Sequence, residues 1–159
     1  DSIGLLSAEA EETTKQLRLG MQSRLKTSNS KKTRHHSRKS AIEARMAVSD
    51  LQYPQAELII NRGLKQTSDG LQWRSDQRLR NISPYRFTLQ QAEQLVGDMI
   101  VPVQLIYGDK GLPMVKQAMK HFSPLITDYQ SHQLIGGHHI HMEQAQASAA
   151  LILTFLANR

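Results

Sequence analysis

The spacing of apolar positions changes character along the chain. Over residues 7–26, Leu17, Met21 and Leu25 recur on one helical face. Glu9, Glu11 and Glu12 fall in the first turn, where the positive end of the helix dipole favours acids, and Ser7 is the predicted N-cap. Ser40-Ala41-Ile42-Glu43 has capping-box spacing and predicts a short helix through about Ser49. Pro54 suits the first position of a helix carrying Leu58, Ile59 and Ile60, with Gly63 as its terminator. Residues 64–67 and 71–74, flanking Ser68-Asp69-Gly70, predict a hairpin. Thr88-Leu89-Gln90-Gln91 repeats the capping-box spacing and starts a helix that ends near Gly97.

The last third is patterned differently. Residues 101–107 form a β-rich apolar run ended by Gly108, which reads as a buried strand. Pro113 opens a helix through His121, residues 128–135 give a second strand, and Gly136-Gly137 stops it. A final helix over 141–157 carries Leu151, Ile152, Phe155 and Leu156. Strand, helix, strand, helix predicts parallel pairing with right-handed crossovers, hence an α/β sheet. Two buried parallel strands leave their faces and edges uncovered, so the sheet is expected to contain more strands than this sequence supplies.

Composition narrows the class. With 159 residues and 39% hydrophobic residues the chain is long enough, and apolar enough, for one globular domain. No stretch reaches the roughly 18 apolar residues of a membrane-spanning helix. The absence of cysteine removes disulfides, zinc knuckles and thiol nucleophiles, and a cytoplasmic address is expected. The chain opens on Asp1-Ser2-Ile3-Gly4 without a methionine, which suggests a processed product or a piece of something longer.

The net charge of +6 is the property of one segment. Residues 13–42 hold nine Lys/Arg and no acid, whereas the rest of the chain has eleven bases and fourteen acids. Its centre contains Lys31, Lys32, Arg34, His35, His36, Arg38 and Lys39, whose summed charge can attract anionic partners. No aromatic residue interleaves with these bases to stack on a nucleotide, so a solvated, mobile connection between helices is preferred and nucleic-acid binding is disfavoured.

The chemistry concentrates in Gly136-Gly137-His138-His139-Ile140-His141-Met142-Glu143, between the second strand and the last helix. Three histidines invite a metal, but His138 and His139 point apart after a strand and only Glu143 offers a further ligand at suggestive spacing, so no metal or other cofactor is expected. A histidine at the carboxyl end of a strand suits general base and acid work, because imidazole titrates near working pH. Open α/β sheets place their sites there, which weakens the reading of a histidine that merely fills a loop.

With those residues in view, the chain resembles the α/β-hydrolase superfamily. Val101-Pro102-Val103-Gln104-Leu105-Ile106-Tyr107-Gly108, a helix, the histidine segment and the amphipathic end helix look like that fold's last two strand–helix units. Gly137-His138 with Glu143 resembles the family's histidine loop, which assigns the catalytic role to His138 and not to His139 or His141. Asp1-Ser2-Ile3-Gly4-Leu5-Leu6 is similar to the turn leaving the strand before the cap domain. Arg45-Met46 and residues 73–79 resemble cap segments of serine hydrolase-like proteins.

The resemblance implies a C-terminal half: the end of a core strand and its turn at 1–6, a mainly helical cap over 7–98 with a basic linker at 27–39, and the C-terminal part of the parallel sheet over 99–159. It implies a Ser/His/acid hydrolase, esterase-like, whose nucleophile is absent, because no Gly-x-Ser-x-Gly elbow occurs in the chain. Alone, the chain is expected to be inactive. Family members commonly place the acid three residues after the glycine ending the penultimate strand, and that position here is Gly111. The substitutes are Asp1, preferred because some relatives carry their acid at that strand end, and Asp109. The bland readings are a loop cap for Asp1 and a surface turn for Asp109. Leu17, Met21, Leu51, Trp73 and Phe87 are candidates to line an apolar substrate cavity, Trp73 foremost, although each alone fits a cap core equally well. The partners expected are a small-molecule substrate and the missing N-terminal half, without a membrane. The competing expectation is a catalytically incompetent fragment or binding module whose basic segment contacts anionic partners.

Overall fold

Contacts divide the chain into two units, Asp1–Ser7 with Phe87–Arg159, and Ala8–Arg86. The computed structural model describes residues 3–30 and 34–158. Among them no helix is long and apolar enough to cross a membrane.

The Ala8–Arg86 unit begins with a 3₁₀ turn, Ala10–Glu12, that feeds helix α1, Thr13–Ser28. Ser7 is not its cap: the 3₁₀ turn intervenes, and Ser7, which belongs with the Phe87–Arg159 segment, bridges to Phe87. The stripe of Leu17, Met21 and Leu25 stays 49, 58 and 65% exposed. What α1 buries is Gly20, where an added Cβ would fall 2.5 Å from the Pro84 Cα. The helix therefore packs through bare backbone, and the Ile82 N–H donates to the Ser23 hydroxyl across the same seam at 3.1 Å.

The basic segment has more structure than a mobile connection. Helix α1 extends through Ser28, and Arg34–His35 form a short strand, β1. Arg34 pairs with Asp69 at 3.1 Å, and Arg38 donates to the Asn61 side chain at 2.9 Å. Lys31 and Lys32 lie outside the described residues. Helix α2, Arg38–Met46, is capped by Ser37: the Ser40 N–H donates to the Ser37 hydroxyl and the Ser37 N–H to the Ser40 hydroxyl. Ser40 thus closes the capping box instead of opening the helix, because Ser37 offers the same chemistry one turn earlier.

Helix α3, Tyr53–Gly63, starts with Pro54 in its first turn and runs directly into strand β2, Leu64–Thr67. Strand β3, Gly70–Trp73, returns as the predicted hairpin, with Leu64 opposite Trp73 and Thr67 opposite Gly70. Strand β1 adds to the other edge of β3, giving the order β1-β3-β2. Ala41, Ile42, Leu51, Ala56, Ile60, Leu64 and Leu71 are buried in this unit.

In the other unit, helix α4, Leu89–Gly97, has the predicted capping box between Thr88 and Gln91. Its Ala92 and Val96 pack with Phe122 and Ile126, so α4 groups with the parallel strands in the Phe87–Arg159 segment. Apolar contact, and not nearness in sequence, sets the unit to which this helix belongs. Strand β4, Val103–Gly108, helix α5, Pro113–Phe122, and strand β5, Tyr129–Leu134, make a β–α–β unit. The strands pair in parallel, from Val103 opposite Tyr129 to Gly108 opposite Leu134. A short helix α6, Ile140–Glu143, breaks at Gln144 before helix α7, Ala145–Ala157, where the sequence pattern suggests one continuous helix. On α7, Ile152, Leu153 and Leu156 are exposed. The chain is mixed α/β with a small parallel sheet, two-stranded among the described residues.

Candidate active site

Parallel pairing brings the carboxyl ends of β4 and β5 side by side, and the turns leaving them are joined backbone to backbone. The Asp109 N–H donates to the Leu134 carbonyl at 2.9 Å and the Lys110 N–H to the Gly136 carbonyl at 3.0 Å. The turn after β4 tightens when the Gly111 N–H donates to the Gly108 carbonyl at 3.1 Å. Gly108 has no room for a side chain: a Cβ would lie 2.1 Å from the Gly137 oxygen and 2.4 Å from the Gly136 oxygen. Gly136 has φ +156°, and a Cβ there would meet the Ile140 side chain at 2.6 Å and Glu143 Oε2 at 2.7 Å. These glycines allow two turns to share the space of one.

Two carboxylates hold the double-glycine bend. Asp109 Oδ1 accepts from the Gly136 N–H at 2.8 Å, and Glu143 Oε2 accepts from the Gly137 N–H at 2.9 Å. Two N–H groups that a turn would leave without partners are thereby satisfied by charge-assisted bonds. His138 follows at once, half-buried, on the turn into α6. Ile140, 2% exposed, anchors that helix, while the Met142 and Glu143 N–H groups both donate to the His139 carbonyl. The His138 and His139 rings are 5.0 Å apart and tilted by 59°, and His139 and His141 are 6.2 Å apart. Among the described residues no three His, Asp or Glu side chains converge in a way that would hold a metal ion.

The Gly136 N–H is the main reason the Asp109 carboxyl titrates below its ordinary value of 3.8; Lys110 and Lys116 act in the same direction, against the opposing effect of burial. A carboxyl lowered on folding adds stability that is fully present above its ordinary pKa and is lost as pH falls through the lower folded value. Acid unfolding monitored by circular dichroism should therefore show Asp109→Asn losing this acid-side dependence, with the largest difference from the parent above about pH 4. Identical stability profiles for the two proteins would contradict the clamp.

Of the residues singled out from sequence, Asp109 and His138 are brought onto adjoining turns of one unit. Asp1 lies outside the described residues. Trp73 belongs to the Ala8–Arg86 unit, lies against Gly63, and lines a cavity of about 450 Å³ with Ala44, Arg45 and Val48. Leu51 is 4% exposed and serves that unit's core, whereas Phe87 sits in the other unit's chain segment. The holding roles of Gly108 and Glu143 escaped sequence reading. Glu143 was visible as a spacing, six residues after Gly137, but its function appears only when α6 folds it back on the bend.

No family profile and no curated protein matches the sequence. Solved structures do. A hypothetical protein from Pseudomonas aeruginosa superposes with a TM-score of 0.86 at 30% identity, over 99% of this chain and 56% of its own. The thioesterase domain from the curacin biosynthetic pathway gives 0.67 at 23% identity, over 96% of this chain and 55% of its own. An esterase from M. tuberculosis also gives 0.67, at 13% identity, over 96% and 52%. The chain thus spans little more than half the length of each protein it matches.

Proposed function

Starting from a chain that has the fold of part of an α/β-hydrolase, we propose that it is the C-terminal portion of a serine hydrolase acting on ester bonds, the Ala8–Arg86 unit serving as its cap. The observation that carries this reading is His138 at the carboxyl end of a parallel strand, on a bend clamped to the turn of the neighbouring strand. A catalytic imidazole needs such fixation, because misplacement of about 1 Å can cost about a hundredfold in rate.

In the proposed reaction a serine supplied by residues outside this sequence attacks the ester carbonyl while the imidazole of His138 takes the hydroxyl proton. The same imidazolium passes that proton to the leaving alcohol, and an acyl-enzyme remains. Water then gives its proton to His138 and its oxygen to the acyl carbon, and the proton returns to serine as the acid is released. A carboxylate must orient the ring and stabilise its charged form. Asp1 is the proposed group, since Asp109 Oδ1 already accepts the Gly136 N–H; Asp109 acting through its second oxygen is the alternative. The thioesterase and esterase named above support acyl-transfer chemistry, and an uncharged, partly apolar ester is the proposed substrate class. This chain alone is inactive on this reading, because histidine without its nucleophile gives no useful turnover.

A serine-directed fluorophosphonate tests the proposal. The hydrolase completed by its N-terminal portion should be labelled on a serine outside this sequence, and the 159-residue chain alone should not. A folded, completed protein that takes no label would overturn it. In the completed enzyme, Asp1→Asn should lower kcat by about 10³-fold or more, the scale seen when a triad acid is lost. If only Asp109→Asn does so, Asp109 is the acid.

A further inference from the structure

The Ala8–Arg86 unit contains a larger cavity, about 670 Å³, between the C-terminal half of α1 and the 3₁₀ turn Gln77–Arg80. That volume is in the range of small-molecule sites. Met21 and Leu25 lie one turn apart on α1 and form its apolar wall, while Arg24 and Ser28 make a parallel polar row beside them. Both apolar side chains are more than half exposed, so a ligand chain laid along them would remove apolar surface from water.

The charges lining the cavity are unequal. Asp76 accepts from the Arg78 backbone N–H at 2.8 Å and from its guanidinium Nε and Nη2 at 3.0 and 2.6 Å, so these two charges offset each other. Arg24 has no ion pair with any described residue, which leaves a positive charge at the wall. Asn81 Oδ1 accepts the Thr27 hydroxyl at 2.5 Å, which leaves the amide N–H₂ of Asn81 as the donor of that side chain. The free chemistry is thus a guanidinium, an amide donor and a hydroxyl beside a thioether and a leucine.

We infer that this cavity binds an amphiphilic monocarboxylate whose carboxylate meets Arg24 and whose aliphatic tail lies on Met21 and Leu25. Guanidinium suits a carboxylate because it can donate two parallel hydrogen bonds to the two oxygens. The site lies within residues 21–81 and does not rest on the hydrolase reading.

Calorimetric titration of the 159-residue chain with sodium octanoate tests it. One saturable site is expected, weakened at least tenfold by Arg24→Gln and at least threefold by Met21→Ser, and weakened by added salt. Both positions are exposed, and unchanged circular dichroism confirms that each variant folds. Octanol should bind the parent at least tenfold more weakly than octanoate does and should not distinguish Arg24→Gln from it. No saturable binding, several octanoates per chain, or octanoate affinity indifferent to Arg24→Gln would each overturn the inference. Loss of fluorophosphonate labelling would leave it standing, since that readout concerns another unit.

Discussion

On the proposed serine-hydrolase function, His138→Gln in the completed protein is expected to lower kcat by about 10³-fold or more while KM changes less than about threefold, with fluorophosphonate labelling falling in parallel. Glutamine keeps a polar side chain on the turn but has no nitrogen that can take and return a proton near neutral pH. Activation of the serine and protonation of the leaving group both fail, and these interactions exist in the transition state and not in the bound substrate, which is why kcat and not KM should move. His139→Gln and His141→Gln are the controls. Their rings lie within 6.2 Å of one another on the same segment, so a general loss of order on the loop would appear in all three variants. Activity of His138→Gln within tenfold of the parent would remove the imidazole from the mechanism.

Gly108→Ala should be the most disruptive single methyl in the Phe87–Arg159 unit. The added carbon would sit 2.1 Å from the Gly137 oxygen and 2.4 Å from that of Gly136, and both are backbone atoms that no rotamer change can move aside. Relief requires parting the two turns, which strains the bonds from Lys110 to Gly136 and from Gly136 to Asp109. Denaturant unfolding should show a loss of about 3 kcal/mol, at the upper end for overpacking. Gly97→Ala is the matched control: it ends α4, and a Cβ there meets nothing within 4 Å. It should change stability by no more than about 0.5 kcal/mol. On the same proposed function, Gly108→Ala in the completed protein should also lower kcat by about a hundredfold, because the bend carrying His138 moves with the turn. A Gly108→Ala protein as stable as the Gly97→Ala protein would show that the two turns are not in contact.

Local chemistry made much of this chain legible before any coordinates. Thr88 and Gln91 have the spacing at which the two side chains cap one another, Pro54 is suited to a helix start, and Ser68-Asp69-Gly70 favours a turn. The strand–helix–strand–helix order implied parallel pairing of β4 and β5. Each of these depends on residues within a few positions of one another, which is the range over which side-chain capping, turn preference and alternation act.

Tertiary structure decided what involves distant partners. Whether Ser37 or Ser40 capped α2 depended on where β1 left the chain, and β1 itself formed only because β3 offered Arg34 and His35 an edge. Helix α4 joined the parallel strands because Ala92 and Val96 found Phe122 and Ile126, residues about thirty positions away. The exposure of Leu17, Met21 and Leu25 followed from Gly20 meeting Pro84, a contact that no helical periodicity reports. The clamp on the double-glycine bend joins Asp109 to Gly136 and Glu143 to Gly137, pairings set by strand register and the fold-back of α6. Amino-acid order determines local conformation through short-range sterics and hydrogen bonds, but which surfaces meet is settled by burial and by satisfying polar groups across the whole fold.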